Sequence, residues 1–350
     1  MKTAATAFRR GIAASLSVKR FIFWMWLVSF LLAFAPALIL SHQIEDSLGS
    51  SAKAEALAQG YDDRWYLEFE AEAKALAASF DPTVAGAGAV LNAVDAFLTG
   101  EHLDYFPGVV LIGALYLLVW IWAAGAILTA FESGQAPSLP QCAADGTRYF
   151  FRFLRLFVLS GLAYLVIFGW LMPFLEEHVE SVSRDIVDER MAFFWYLLAY
   201  LVAWILLLIV NLVFDYAKIV TVIEDRRSML GATLRSLRLV FSHPLQAISL
   251  YGLNLLLALV FLIIYTALAP GASQASWAAV IWALFLGQLY IASRIFTRLC
   301  FFGSQFDLCT LWLTPDSNGE PAPGTQPSSP STGDSLPQAE YAGEDERPPA

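Results

Sequence analysis

Residues 107–131 run for 25 positions without a charged side chain, and comparable uncharged runs recur at 21–41, 156–175, 191–214 and 239–293. About 20 mostly apolar residues suffice for a helix to cross roughly 30 Å of hydrocarbon. Lipid offers no hydrogen bonds to a backbone, so such a segment has to satisfy its own amides as a helix. The run at 239–293 is long enough for two crossings, and "APGAS" at 269–273 supplies the turn residues that divide it. The sequence therefore predicts six spans, at about 21–41, 107–131, 156–175, 191–214, 244–268 and 276–298. Composition agrees, with 58% hydrophobic and 15% charged residues against about 45–50% and about 25% in soluble domains. The expected class is all-α, a polytopic transmembrane helix bundle. The first run exceeds the usual apolar core of a signal peptide and lacks a small-x-small cleavage site after "ALILSHQ", so it reads as an uncleaved anchor.

Charge fixes an orientation. Lys2, Arg9, Arg10, Lys19 and Arg20 precede the first run, in a basic segment at 1–20. Arg148, Arg152 and Arg155 lie before the third. Lys218, Arg226, Arg227, Arg235 and Arg238 separate the fourth from the fifth, and Arg294 and Arg298 close the sixth. These are 15 of the 21 Lys and Arg, all at one end of the spans. The segments at the opposite end hold 18 of the 31 Asp and Glu but only five basic residues. By the positive-inside bias, the basic end is cytoplasmic and both termini lie there.

The cytoplasmic segment between the fourth and fifth runs predicts an amphipathic helix. Asp225 is a candidate N-cap, its carboxylate near the positive end of the helix dipole. Leu230, Leu234, Leu237 and Phe241 form one apolar stripe flanked by Arg227, Arg235 and Arg238. A helix of that pattern lies in the headgroup plane, each arginine near an anionic lipid contributing about 1 kcal/mol. "DGTRYFFRFLRLF" places Arg148, Arg152 and Arg155 on one helical face before the third span. Residues 107–175 and 191–268 thus share an order of span, loop, basic helix and span. That order suggests a parallel duplication, although topology alone also makes a cytoplasmic hairpin basic.

"FDYAKIVTVIEDRRSMLGATLRSLRLVFSHP", "GQLYIASRIFTRLCFFGSQ" and "RYFFRFLRL" resemble segments of a bacterial family of six-span integral membrane proteins whose activity is uncharacterised. The likeness covers residues 20 to about 312. A fainter similarity is to the membrane domains attached to some glycerophosphodiester phosphodiesterases; this chain has no catalytic phosphodiesterase domain, so that activity is not implied. "EDRRSMLGATLRSLRLVFSHPL" also resembles, loosely, the cytoplasmic loop by which ABC-transporter permeases dock an ATPase. The leading EAA of that loop is absent, since Glu224 is followed by Asp225 and Arg226.

Ionisable residues at membrane depth are functional candidates by default. Asp215 ends the fourth span and Arg294 lies a turn inside the sixth, so an ion pair between them is expected. Asn211, Asn254 and Gln288 are expected to join helices. Residues 42–106 form an outer loop where Trp65, Phe69, Ala73, Leu76 and Phe80 share one helical face; Val84, Ala87, Leu91, Val94 and Leu98 repeat the spacing. His42, His102 and His178 sit near acids, but no zinc spacing is present. Cys142, Cys300 and Cys309 show no disulfide or metal framework. Residues 314–350 are rich in Pro, Ser, Gly and acid, a composition expected to be disordered. No catalytic, cofactor or nucleic-acid motif stands in the context it requires.

These features point to a non-enzymatic assembly or envelope-associated component of a bacterial inner membrane. The expected partners are the bilayer with its anionic head groups, and another membrane or envelope protein. The alternative is a permease-like subunit docking an ATPase through residues 224–245.

Overall fold

The computed structural model describes residues 2–49, 63–80, 88, 90–92, 107–134, 137–184, 188–269 and 276–313; among these, all regular structure is helical. The expected tail at 314–350 and most of the second outer amphipathic segment, 84–98, lie outside the described residues. Nine helices carry the described fold: α1 Lys2–Ser17, α2 Lys19–Gly49, α3 Asp63–Glu72, α4 Pro107–Ser133, α5 Leu139–Ser183, α6 Glu189–Ile223, α7 Met229–Ser242, α8 Pro244–Leu268 and α9 Trp277–Leu313. Six of them, α2, α4, α5, α6, α8 and α9, are long and apolar enough to cross a membrane. The chain is an all-α polytopic bundle.

Local chemistry explains the boundaries. Ser138 opens α5 with a capping box in which Gln141 reaches back to the Ser138 amide at 2.9 Å. Pro244 occupies the first turn of α8, where its missing N–H leaves no unmet bond. Inside α5, Pro173 cannot donate to the carbonyl four residues back, and residues Ile167–Leu171 widen into a π turn just before it. The basic segment before the third span is therefore continuous with that span in one 45-residue helix. In the second hairpin, by contrast, α7 and α8 are separate helices broken at His243 and Pro244. The two hairpins are not built alike.

The packed core gathers at one end of the bundle. It draws on Phe21 and Met25 of α2, Trp120 to Ala130 of α4, Cys142 to Phe153 of α5, Leu212 to Val222 of α6 and Ile295 to Cys309 of α9. That is the end where Lys and Arg cluster. Toward the other end the spans expose large side chains, including Phe193, Phe194, Leu197, Leu201 and Trp204 of α6. A soluble protein does not leave so continuous an apolar surface open; lipid covers it at no cost.

The residues at 2–17, expected only as a basic tail, form α1 and pack along α9 and α8. Ala4, Ala7 and Ser15 are fully buried. Gly11 lies so close to α9 that a Cβ there would come within 2.5 Å of the Ser304 amide nitrogen; one on Gly303 would come within 3.1 Å of the Gly11 carbonyl. Small residues on both helices permit this approach.

The outer segment departs from expectation too. The helix α3 stops at Glu72 instead of running to Phe80. Lys74 is extended, Ala75 adopts a left-handed φ of 56°, and a short 3-10 helix follows at Ala75–Ser79. The reversal brings Phe80 back against Phe69, edge to face at 5.8 Å, and its carbonyl accepts from the Tyr66 hydroxyl at 3.2 Å. Ala77, not Leu76, joins Trp65 and Phe69 in the buried cluster against Leu40, Ile44 and Leu48 of α2.

Candidate functional site at the basic end of the bundle

The turn between α6 and α7 organises the basic end. Asp225 does not cap α7. Ser228 does, extended at φ −90° and ψ 114°, its hydroxyl accepting from the Gly231 amide at 3.3 Å. Ser228 immediately precedes the first helical residue, so its short side chain reaches the free amides of the first turn; Asp225 stands three residues too early. With a left-handed φ of 43°, Asp225 turns instead toward α5 and accepts from Arg152 at 2.6 Å and from Arg148 at 3.1 Å. The hydrogen bond from Arg152, then the nearby positive charges, hold its carboxyl below the ordinary carboxylate range. Arg152 also donates to the Arg226 carbonyl at 3.3 Å. Next to it, Glu224 accepts from Arg226 and lies 3.5 Å from Arg235.

Three of the six basic residues expected at the membrane surface, Arg148, Arg152 and Arg235, are thus engaged by acids of this turn. Arg155, Arg227 and Arg238 are exposed, and among the described residues they form no ion pair. The helix α7 has two apolar faces. Met229, Ala232, Ser236, Leu239 and Val240 are buried against the bundle, with Ser236 donating to the Val213 carbonyl of α6 at 2.9 Å. The stripe of Leu230, Leu234, Leu237 and Phe241 points outward, between 37% and 64% exposed. Arg227 and Arg238 flank that open stripe.

The ion pair expected between Asp215 and Arg294 does not form. Asp215 takes the Lys218 ammonium at 2.8 Å, one turn along its own helix. Arg294 projects from α9 toward α8, beside Tyr290, Ser293 and Phe261. A partner at i+3 on one rigid helix needs no second helix to be brought into register, and here it takes the carboxylate. Arg298, one turn beyond Arg294, stacks over the buried Trp120 ring with its guanidinium carbon 4.1 Å from the ring centre. Beyond the arginine's position at a span end, nothing in the residue pattern points to that contact.

The three intramembrane amides each join two helices. Asn211 accepts from the Tyr164 hydroxyl at 2.8 Å, joining α6 to α5. Asn254 donates to Ser304 at 3.0 Å, joining α8 to α9, and Gln288 accepts from the Trp26 indole at 2.9 Å, joining α9 to α2. Among the described residues, no group of three or more His, Cys, Asp or Glu is placed to hold a metal ion. His42 lies 3.5 Å from Glu45, and His178 stacks on Phe174. All three cysteines are free and buried.

Comparison with protein-family models, with curated proteins and with solved structures finds no match to this chain. Its functional reading therefore rests on its own geometry.

Proposed function

We propose that the protein is a non-enzymatic, assembly- or envelope-associated component of a bacterial inner membrane, with both termini cytoplasmic and α7 seated in the cytoplasmic headgroup layer. The observation that carries this reading is the double apolar character of α7. One face is buried on α6, while Leu230, Leu234, Leu237 and Phe241 remain open beside Arg227 and Arg238. Fully burying a side chain of this kind contributes about 1.5–3 kcal/mol, and each flanking arginine near anionic lipid about 1 kcal/mol. An interface supplies both gains at once; water supplies neither. The clamp of Asp225 on Arg148 and Arg152 holds α7 at that level by tying its leading turn to α5.

The permease-like reading has no observation in its favour. Glu224 and Asp225, the acids at the head of the docking loop it requires, are occupied by arginines of this chain.

An environment-sensitive fluorophore on Leu234→Cys, in vesicles carrying quencher-labelled lipids, tests the seat of α7. Shallow quenchers should extinguish it, and the same probe on Ser242→Cys should respond less. A probe at 234 that stays bright with every quencher depth refutes the placement. Orientation is checked separately, by reporters after Ala350 and near Asp62; the first is expected inside the cell and the second outside.

A further inference from the structure

Three cations and one carboxylate line two adjoining cavities at the basic end of the spans. The first, about 200 Å3, lies between α4, α5, α6 and α9 and contains Asp215, Lys218 and Arg298. The second, about 290 Å3, lies between α8 and α9 and contains Arg294 and Arg298. Arg298 belongs to both. The only carboxylate lining them, Asp215, is already matched by Lys218 at 2.8 Å. Arg294 and Arg298 are left. They stand four residues apart on one helix, where like charges repel. Among the described residues neither has an ion-pair or hydrogen-bond partner; Arg298 lies over the face of Trp120 and feels the Asp215 carboxylate across the first cavity, a charge already bonded to Lys218. Both keep more than a third of their surface open.

Two unmatched guanidinium groups at the edge of the hydrocarbon are costly unless something neutralises them. We infer that the cleft between α8 and α9 is a binding site for a phosphate-bearing anion, gripped by Arg294 and Arg298, and that in the membrane the anion is the headgroup of an acidic phospholipid. The planar fork of each guanidinium matches the oxygens of a phosphate. The cleft adds one further donor. Ser293 and Thr297 spend their hydroxyl protons on the carbonyls of Tyr290 and Ser293, at 2.7 and 2.8 Å, but Tyr290 offers its phenol from a ring held by Tyr265, stacked at 4.4 Å. The remaining wall is apolar, with Ala258, Phe261 and Phe301. A group that is anionic at one end and greasy at the other fits this lining; a fully hydrated anion meets too few donors. Stacking on Trp120 leaves Arg298 between the cleft and the inner cavity, so a bound headgroup would be felt by both.

This site does not depend on where α7 sits, and the test separates the two. The full-length protein is purified from micelles containing phosphatidylglycerol and phosphatidylcholine, and the retained lipid is counted by native mass spectrometry. Wild type should retain phosphatidylglycerol in preference, and Arg294→Gln with Arg298→Gln should lower that preference about tenfold. In the background of Arg227→Gln with Arg238→Gln, which removes the surface stripe's own attraction for anionic headgroups, the cleft pair should lower the preference by the same factor. Arg294→Lys with Arg298→Lys keeps the charge but loses the fork, and should fall between. Displacement of the lipid by inorganic phosphate would retain the site and assign it to soluble phosphate. The inference is overturned if wild type shows no preference, a measurement that needs no variant to fold, or if only the surface pair abolishes it.

Discussion

Replacing Gly11 by alanine adds one methyl group where α1 meets α9. The new Cβ would sit 2.5 Å from the Ser304 nitrogen and 2.6 Å from its Cβ, both in or next to the backbone of a helix that cannot yield locally. Ordinary contact begins near 3.4 Å, so α1 has to retreat by roughly 0.9 Å, and the dispersion contacts of Ala4 and Ala7 weaken with it. Overpacking of this kind costs about 1–3 kcal/mol. At tenfold per 1.4 kcal/mol, the population with α1 peeled away rises roughly 5- to 150-fold. Cys300 reports the event, because it is fully buried and the Ser15 hydroxyl lies against it. The assay is the rate of maleimide modification of the folded protein in detergent, with peptide mapping to assign the label. Gly11→Ala should accelerate labelling of Cys300. Gly252→Ala serves as the control, since nothing lies within 4 Å of its added Cβ. If Cys300 in Gly11→Ala labels no faster than in wild type or the Gly252 control, the tight α1–α9 seam is wrong.

Two further outcomes follow from the same structure. Asp225→Asn should free the α6–α7 turn from Arg148 and Arg152 and hasten limited proteolysis between 224 and 228. Acid should imitate it in wild type: because the folded carboxyl is held below its ordinary value, the clamp is fully present above the unfolded pKa and is lost as pH falls through the lower folded one. Proteolysis that ignores both changes would remove the clamp from the account. All three free thiols should resist modification until the wild-type bundle unfolds, since Cys142, Cys300 and Cys309 are no more than 7% exposed; prompt labelling of any of them in the folded protein contradicts the packing.

The spans were legible because hydrocarbon imposes a single long-range rule, uninterrupted apolarity, on every one of them. Their ends were not, because a charge that ends an apolar run does not end a helix. The helix α6 passes Asp215 and Lys218 and continues to Ile223, and α9 passes Arg294 and Arg298 and continues to Leu313. The seam of α1 escaped notice for the opposite reason. A search for stripes of large apolar residues passes over Ala4, Ala7, Gly11 and Ser15, whose value lies in what they leave out.

The candidate site divides along the same physical line. Where an interaction is local, sequence spacing carries it: the Leu230–Phe241 stripe and its flanking arginines are a property of one helix. Where it crosses between helices, several partners of one charge compete, and spacing cannot rank them. Asp215 had Arg294 as a plausible partner across the bundle, yet Lys218 one turn away takes it. Asp225 was the expected cap of α7, yet Ser228 stands next to its first turn and leaves the carboxylate to Arg148 and Arg152. In both cases the nearer partner wins because it is already ordered by the same backbone, and the displaced group is released for a longer-range role. For Asp225 that role is the clamp on α5. For Arg294 and Arg298, with which no carboxylate among the described residues forms an ion pair, the same logic leaves two guanidiniums facing a cleft, and a ligand from outside the chain is what such a pair is suited to hold.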